Sequence, residues 1–404
     1  MAQRQFASGD TSTWVDRFGA GGAGALTISG NTTFSAANEG CSGTSGTTSV
    51  TLAAAGTFAN GDLVLIHQTR GSSAGVWELN KISSGGGGTS LTMAYDLMNT
   101  YTDSGADQAQ MLKLAEYSSV TVNSGITWTV PSWDGSKGGI LAYVCTGATA
   151  INGTISATGT NGAAGSGTTV AGGTGKGYTG GTGRTGTATA SQGEGTTAAG
   201  GTQSTAANGS GGGGGKANSA AAGNGAGGGG GGHAAAGATG TVTNSGTGGV
   251  GGGTSGAAAL TTMTFGGAGG GGQNSVTGAS EIGSGGGGGA IVLIISKTVT
   301  VDNTTGLIDL DGGDGGDGWR GGGGGAGGSC LIKAQTATLN TTRITSTGGP
   351  GGTLGAGNGG TGSVGRIHLD YSTSFTGTTN PSLDSALDAT LSDSRGHLAL
   401  LGVG

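Results

Sequence analysis

The chain has 404 residues, of which 103 are glycine and three proline, and only 9% are charged and 4% aromatic. A quarter glycine without a G-X-Y period or much proline excludes collagen. A 33% apolar content, rich in alanine, excludes one conventional core for the whole chain. A formal charge of −6 with 15 Lys and Arg leaves no electrostatic footprint for nucleic acid as a partner.

Residues 1–25 hold no apolar stretch of the signal-peptide kind, and no run approaches 18 apolar residues, so neither that export route nor membrane insertion is expected. Residues 1–138 read as a β attachment domain. Short apolar runs at 25–28, 49–52, 62–66, 77–79 and 90–93 are each bounded by Gly, Asn or Ser, a spacing that suits a small antiparallel barrel or sandwich. Trp14, Trp77, Trp128 and Trp133 all fall here, as expected of a region that builds a core or an interface. Cys41, Cys145 and Cys330 are far apart and form no disulfide framework.

From residue 139 to 370 the pattern changes and repeats. Apolar strands begin at Ile140, Ile291, Cys330 and Ile367. After each of the first three comes a second short strand, around Ile155, Ile308 and Ile344. A glycine then falls four residues on, at Gly159, Gly312 and Gly348. Start-to-start distances of 39 and 37 residues, from Ile291 to Cys330 and on to Ile367, predict solenoid-like β-strand repeats. Residues 371–404 are left as a C-terminal tail.

Glycine segments separate the repeats, and 53 of residues 151–290 are glycine. Such composition reads first as a flexible linker. The strands on either side belong to the same repeat, however, so the ends of each segment should lie close together. Ordered glycine must recover its large entropy loss through dense backbone hydrogen bonding. Polyglycine II rods provide this, with three residues per turn and no Cβ to hold neighbours apart. The runs at 211–215, 227–232, 269–272, 285–289 and 321–325 are similar in length, as packed rods require. The expected fold class is therefore all-β: a barrel or sandwich, then β repeats with glycine-rich insertions packed as a polyglycine II bundle.

Over residues 139–370 this pattern resembles the glycine-rich receptor-recognising adhesins at the tips of T-even-type phage long tail fibres. Val299 to Asn303, Ile308 and the glycines from Gly312 match that family's strand-then-glycine form best. The resemblance implies a virion structural protein at the tail, extracellular, with residues 1–138 joined to other tail or fibre proteins. It also implies that loops between rods contact a host cell-surface glycan or outer-membrane protein; whether the chain forms a homo-oligomer stays open. Residues 1–138 do not match the family's usual attachment domain. Three loops supply candidate contacts: Tyr178 and Arg184; Leu260, Met263 and Phe265; and Gln273, Asn274, Glu281 and Ile282. For Leu260, Met263, Phe265 and Ile282 a small apolar cap on the bundle is the competing reading. A bacterial extracellular filament protein and an ice-binding protein are the alternative classes.

Little in the chain suggests catalysis, and no enzyme, cofactor or metal is expected. No G-x-x-x-x-G-K-[ST] occurs, and His67, His233, His368 and His397 share no metal-ligand spacing. Gly312 to Arg320, with Asp317 and Trp319, match a calcium repeat once, but on a three-per-turn rod Asp311, Asp314 and Asp317 would instead form one ridge whose steps of ~9 Å are too wide for one ion.

Overall fold

The computed structural model describes residues 18–221, 223–275, 281–354 and 357–392, so Trp14, His397 and the middle of the 273–284 loop lie outside it. Six antiparallel strands close into a barrel in the order Asn38–Gly43, Ser49–Leu52, Ser90–Met93, Trp77–Ser84, Leu63–Arg70, Gln108–Lys113. Its interior holds Cys41, Val50, Phe58, Val64, Ile66, Ile82, Leu91, Met93 and Met111. The Leu63–Arg70 strand is buried on both faces: Val64 and Ile66 point into the barrel, while Leu63 and Leu65 join a second, larger core outside it. Burial of both faces explains why the segment reads as a continuous apolar run rather than an alternating one.

That larger core lies within a parallel sheet. Gly24–Ile28, Ala115–Val122, Ile140–Ile151, Ile291–Val301, Ser329–Thr345, Arg366–Asn380 and Asp384–Leu387 pair side by side, each parallel to the next. A second row runs through Thr32–Thr33, Thr127–Thr129, Thr154–Ser156 and Leu307–Asp309. The end of Ser329–Thr345 joins this row by pairing Ile308 with Ile344. The sheet thus doubles back on itself and nearly closes.

Three expectations need correction. The barrel is an excursion between Gly24–Ile28 and Ala115–Val122, which are neighbours in the sheet, so 138/139 divides nothing. Residues 371–380 and 384–387 are sheet rather than tail, because the Arg366–Asn380 strand runs through position 371 and the next strand pairs with it. The repeat register also slips by one: Ile291 pairs with Ser329, not Cys330, although Cys330 does pair with Ile367. The last strand is fastened by side chains. His368 lies 2.9 Å from Asp384 and 3.1 Å from Asp370, and Lys333 pairs with Asp370. All three cysteines are free and buried.

The glycine segments are ordered rods. In the run 227–232, Gly227 and Gly230 donate to Thr241 and Ala238, Gly228 and Gly231 to Gly321 and Gly324, and Gly229 and Gly232 to Gly213 and Ser210, all at 2.8–3.0 Å. Its carbonyls accept from Gly249 and Gly252, Gly360 and Ser363, and Gly270 and Gly267. N–H directions therefore repeat every three residues, and one rod bonds to six neighbours. This is the hydrogen bonding of polyglycine II in a hexagonal bundle, which a three-per-turn helix makes possible. The runs around Gly269, Gly286 and Gly323 likewise bond on several sides. Glycine is required by close approach: a Cβ at any of residues 227–232 would meet a neighbouring carbonyl oxygen within 2.3 Å.

Two buried histidines make this packing acid-sensitive. His67 Nε2 lies 2.7 Å from the Met263 carbonyl, and Nδ1 is 2.9 Å from Thr69 Oγ1, which also accepts from Gln110. His233 follows the last glycine of a rod and bonds the Gly327 carbonyl at 2.7 Å. Burial pulls both rings from their ordinary value of 6.5 down to about 4. A ring harder to protonate when folded stabilises fully above about 6.5 and loses that contribution as pH falls towards 4, on the order of 3 kcal/mol per ring. Glu78, raised by burial, works in the opposite sense nearer the carboxylate range. The useful comparison is therefore between variants: His67→Gln should show a shallower fall in melting temperature from pH 6.5 to 4 than the parent. Equal slopes would contradict this account.

Candidate functional site

The rods fix two ends of the bundle. Glycine segments leave the sheet after Ile155, Ile308 and Ile344 and return at Ile291, Ser329 and Arg366. The segment from Arg320 to Gly328 spans roughly 25 Å at the rise of such a helix. One end of the bundle therefore meets the sheet and barrel, and the other carries the residues around Gly165, Thr185, Lys216, Val242, Asn274, Ile282, Trp319 and Thr353.

Most of the residues expected to contact a receptor lie elsewhere or are buried. Tyr178, Leu260, Met263 and Phe265 are fully buried at the sheet end. Tyr178 donates to the Thr69 carbonyl and packs edge-on against Phe265, which also packs against Trp133. Trp77 Nε1 donates to the Leu260 carbonyl at 3.0 Å, and Met263 N to the Gly75 carbonyl at 2.8 Å. These four residues join the main core and seal the bundle against the barrel, so receptor contact is replaced by the cap reading for Leu260, Met263 and Phe265 and by a core position for Tyr178. Beside them Glu194 accepts from Arg70 and from Trp133 Nε1, with Arg70 stacked 5.9 Å from the Trp133 ring.

The remaining candidates do lie at the far end. Gln273, Asn274 and Ile282 are buried there, because neighbouring rods cover them, and so they are not contacts either. Arg184 is half-buried and pairs in register with Gln273. Only Glu281 is exposed. Its carbonyl accepts from Trp319 N at 2.9 Å.

Trp319, Arg320 and Leu354 complete this end. Trp319 is 54% and Leu354 61% exposed. Arg320 is 1% exposed and donates to the carbonyls of Trp319 and Gly223. Its side chain lies between Gly225 and Gly357, where a Cβ would come within 2.6 Å of it. Of nine buried side-chain N and O atoms without a protein partner among the described residues, six belong to this end: those of Arg184, Thr185, Thr243, Gln273, Arg320 and Asn358. The other three, on Asn38, Arg343 and Ser372, are scattered, so this concentration distinguishes the loop end from the sheet end. The sequence signal was present, since Trp319 is the one Phe, Tyr or Trp between Phe265 and Tyr371.

The aspartate ridge is tied to its neighbours. Asp311 accepts from Thr347 N at 2.6 Å and Asp317 from Thr353 N at 2.9 Å, while Asp314 takes Asn161. Among the described residues no three His, Cys, Asp or Glu side chains converge to hold a metal. A groove of about 270 Å³ beside the barrel, lined by Phe34, Asn38, Pro131, Asp134 and Lys137, adds only the Lys137–Glu39 ion pair at 2.8 Å. No described helix is long and apolar enough to cross a membrane. No protein-family model, curated protein or solved structure matches this chain.

Proposed function

We propose that this protein is a receptor-recognising adhesin at the tip of a phage tail fibre. The observation that supports it is the hexagonal glycine bundle, in which interior rods commit their backbone to neighbours and the loops at one end expose large side chains such as Trp319 and Leu354. A rigid scaffold presenting loops is the usual arrangement for recognition. In this reading the barrel and sheet, at the opposite end, join the fibre, and the loops around Trp319, Glu281 and Leu354 face the host. Immunogold labelling of the phage particles with antibody to this chain should mark fibre tips, and purified chain should compete with particles for adsorption. Label on the capsid or baseplate, or none on particles at all, would reject the reading.

A further inference from the structure

We propose that the loop end holds a carbohydrate site. In it Trp319 stacks on the apolar face of a neutral hexose, and Asp317 and Glu281 accept its hydroxyls. The proposal rests on the receptor-binding reading above and narrows it to one ligand class.

Trp77, Trp128 and Trp133 are at most 4% exposed, whereas Trp319 is 54% exposed. Leaving a large apolar side chain in water forfeits about 1.5–3 kcal/mol of burial. Yet the residue is not loosely placed. Its backbone N–H is held by the Glu281 carbonyl, and its own carbonyl by Arg320 at 2.7 Å. Arg320 is itself anchored on Gly223 and confined between Gly225 and Gly357. An exposed ring on a pinned apex loses little ordering entropy when a ligand arrives.

The neighbours select the ligand. An indole face carries negative quadrupole charge and favours the C–H face of a pyranose. Ionised carboxylates only accept, which suits sugar hydroxyls. Asp317 stands two residues from the ring and is exposed. Its Oδ1 takes Thr353 N, which orients the group. Leu354, next to Thr353, is also exposed. Arg320, the cation next to the ring in sequence, is buried and turned to backbone carbonyls, so an acidic sugar stacked on Trp319 would meet the Asp317 and Glu281 carboxylates, while the exposed Lys216 of this end lies on another loop.

Acrylamide quenching of tryptophan emission in the full-length chain tests this. The probes are oligosaccharides of dextran, galactan and mannan, with oligogalacturonate as the acidic contrast. At ten times its Kd, a bound neutral saccharide should shield about nine-tenths of the Trp319 emission from quencher. Oligogalacturonate should shield none. Trp319→Ala should remove the saccharide-protected component of the emission while leaving the melting temperature unchanged, and Asp317→Asn should weaken saccharide binding. If no neutral saccharide protects the ring while the chain still adheres to cells, the site recognises a protein surface and the proposal falls, with the adhesin reading intact. Protection that persists in Trp319→Ala also overturns it. Saccharide protection without any cell adhesion would uphold the site and reject the adhesin reading.

Discussion

Replacing Gly229 with valine should prevent the glycine bundle from closing. A Cβ there would lie 2.2 Å from the Val250 carbonyl oxygen and 2.7 Å from that of Gly249, both of them backbone that cannot swing aside. Relief requires the 249–252 rod to move outward, which stretches the bonds by which Gly249 and Gly252 donate to Gly227 and Gly230. Overpacking alone costs about 1–3 kcal/mol. Each lost hydrogen bond adds about 1 kcal/mol, so a loss beyond about 3 kcal/mol is expected. Gly287→Val should behave alike, because its Cβ would meet Gly175 Cα at 2.7 Å. Thr239→Val, which puts the same side chain at an exposed position on an adjoining rod, should be nearly neutral. Thermal melts and amide exchange across 210–290 measure all three. Fast exchange in the parent, or equal melting temperatures for Gly229→Val and Thr239→Val, would show that the rods are not packed.

The same geometry explains what the sequence revealed and what it hid. Barrel strands were legible because turn residues bracket short apolar runs, and rods because runs of similar length recur between strands of one repeat. The pairing of Gly24–Ile28 with Ala115–Val122 was not, since no local pattern records a contact across an 86-residue excursion (29–114). Loop identity was legible but loop position was not. Successive rods reverse direction, so alternate turns fall at opposite ends of the bundle. Leu260, Met263 and Phe265 look like an exposed apolar cluster in a polar loop until their turn is placed at the sheet end, where they become core. Trp319 looks like part of a calcium motif until its turn is placed at the other end, where it stands exposed. Gln273 and Ile282 fail for a third reason: side chains beside a rod's last glycine are still inside the lattice.

The second large effect is expected where the barrel meets the bundle. Arg70 and Glu194 are 5% and 3% exposed and form an ion pair. Glu194 Oε1 also accepts from Trp133 Nε1 at 3.0 Å, and Oε2 from Thr179 N at 3.1 Å. Arg70 Nε donates to the Ala106 carbonyl at 3.1 Å. Both ions have therefore exchanged water for protein partners. Glu194→Ala would leave the Arg70 guanidinium buried without its carboxylate, and two donors, Trp133 Nε1–H and Thr179 N–H, without acceptors. Removing one partner of such a pair costs about 3–5 kcal/mol. Arg70→Met with Glu194→Leu removes both charges and keeps the volume, so the double variant should recover most of that loss. Urea unfolding of the parent, both single variants and the double variant forms a cycle whose coupling term isolates the pair. A Glu194→Ala loss below about 1 kcal/mol would be in the range of a solvated surface pair and would contradict the burial described here. A large single loss with no recovery in the double variant would mean that Trp133 and Thr179, rather than Arg70, are what Glu194 holds in place. Either way the loss should appear in amide exchange at Tyr178 and Met263, because those residues join the glycine bundle to the barrel through Thr69, His67 and Gly75.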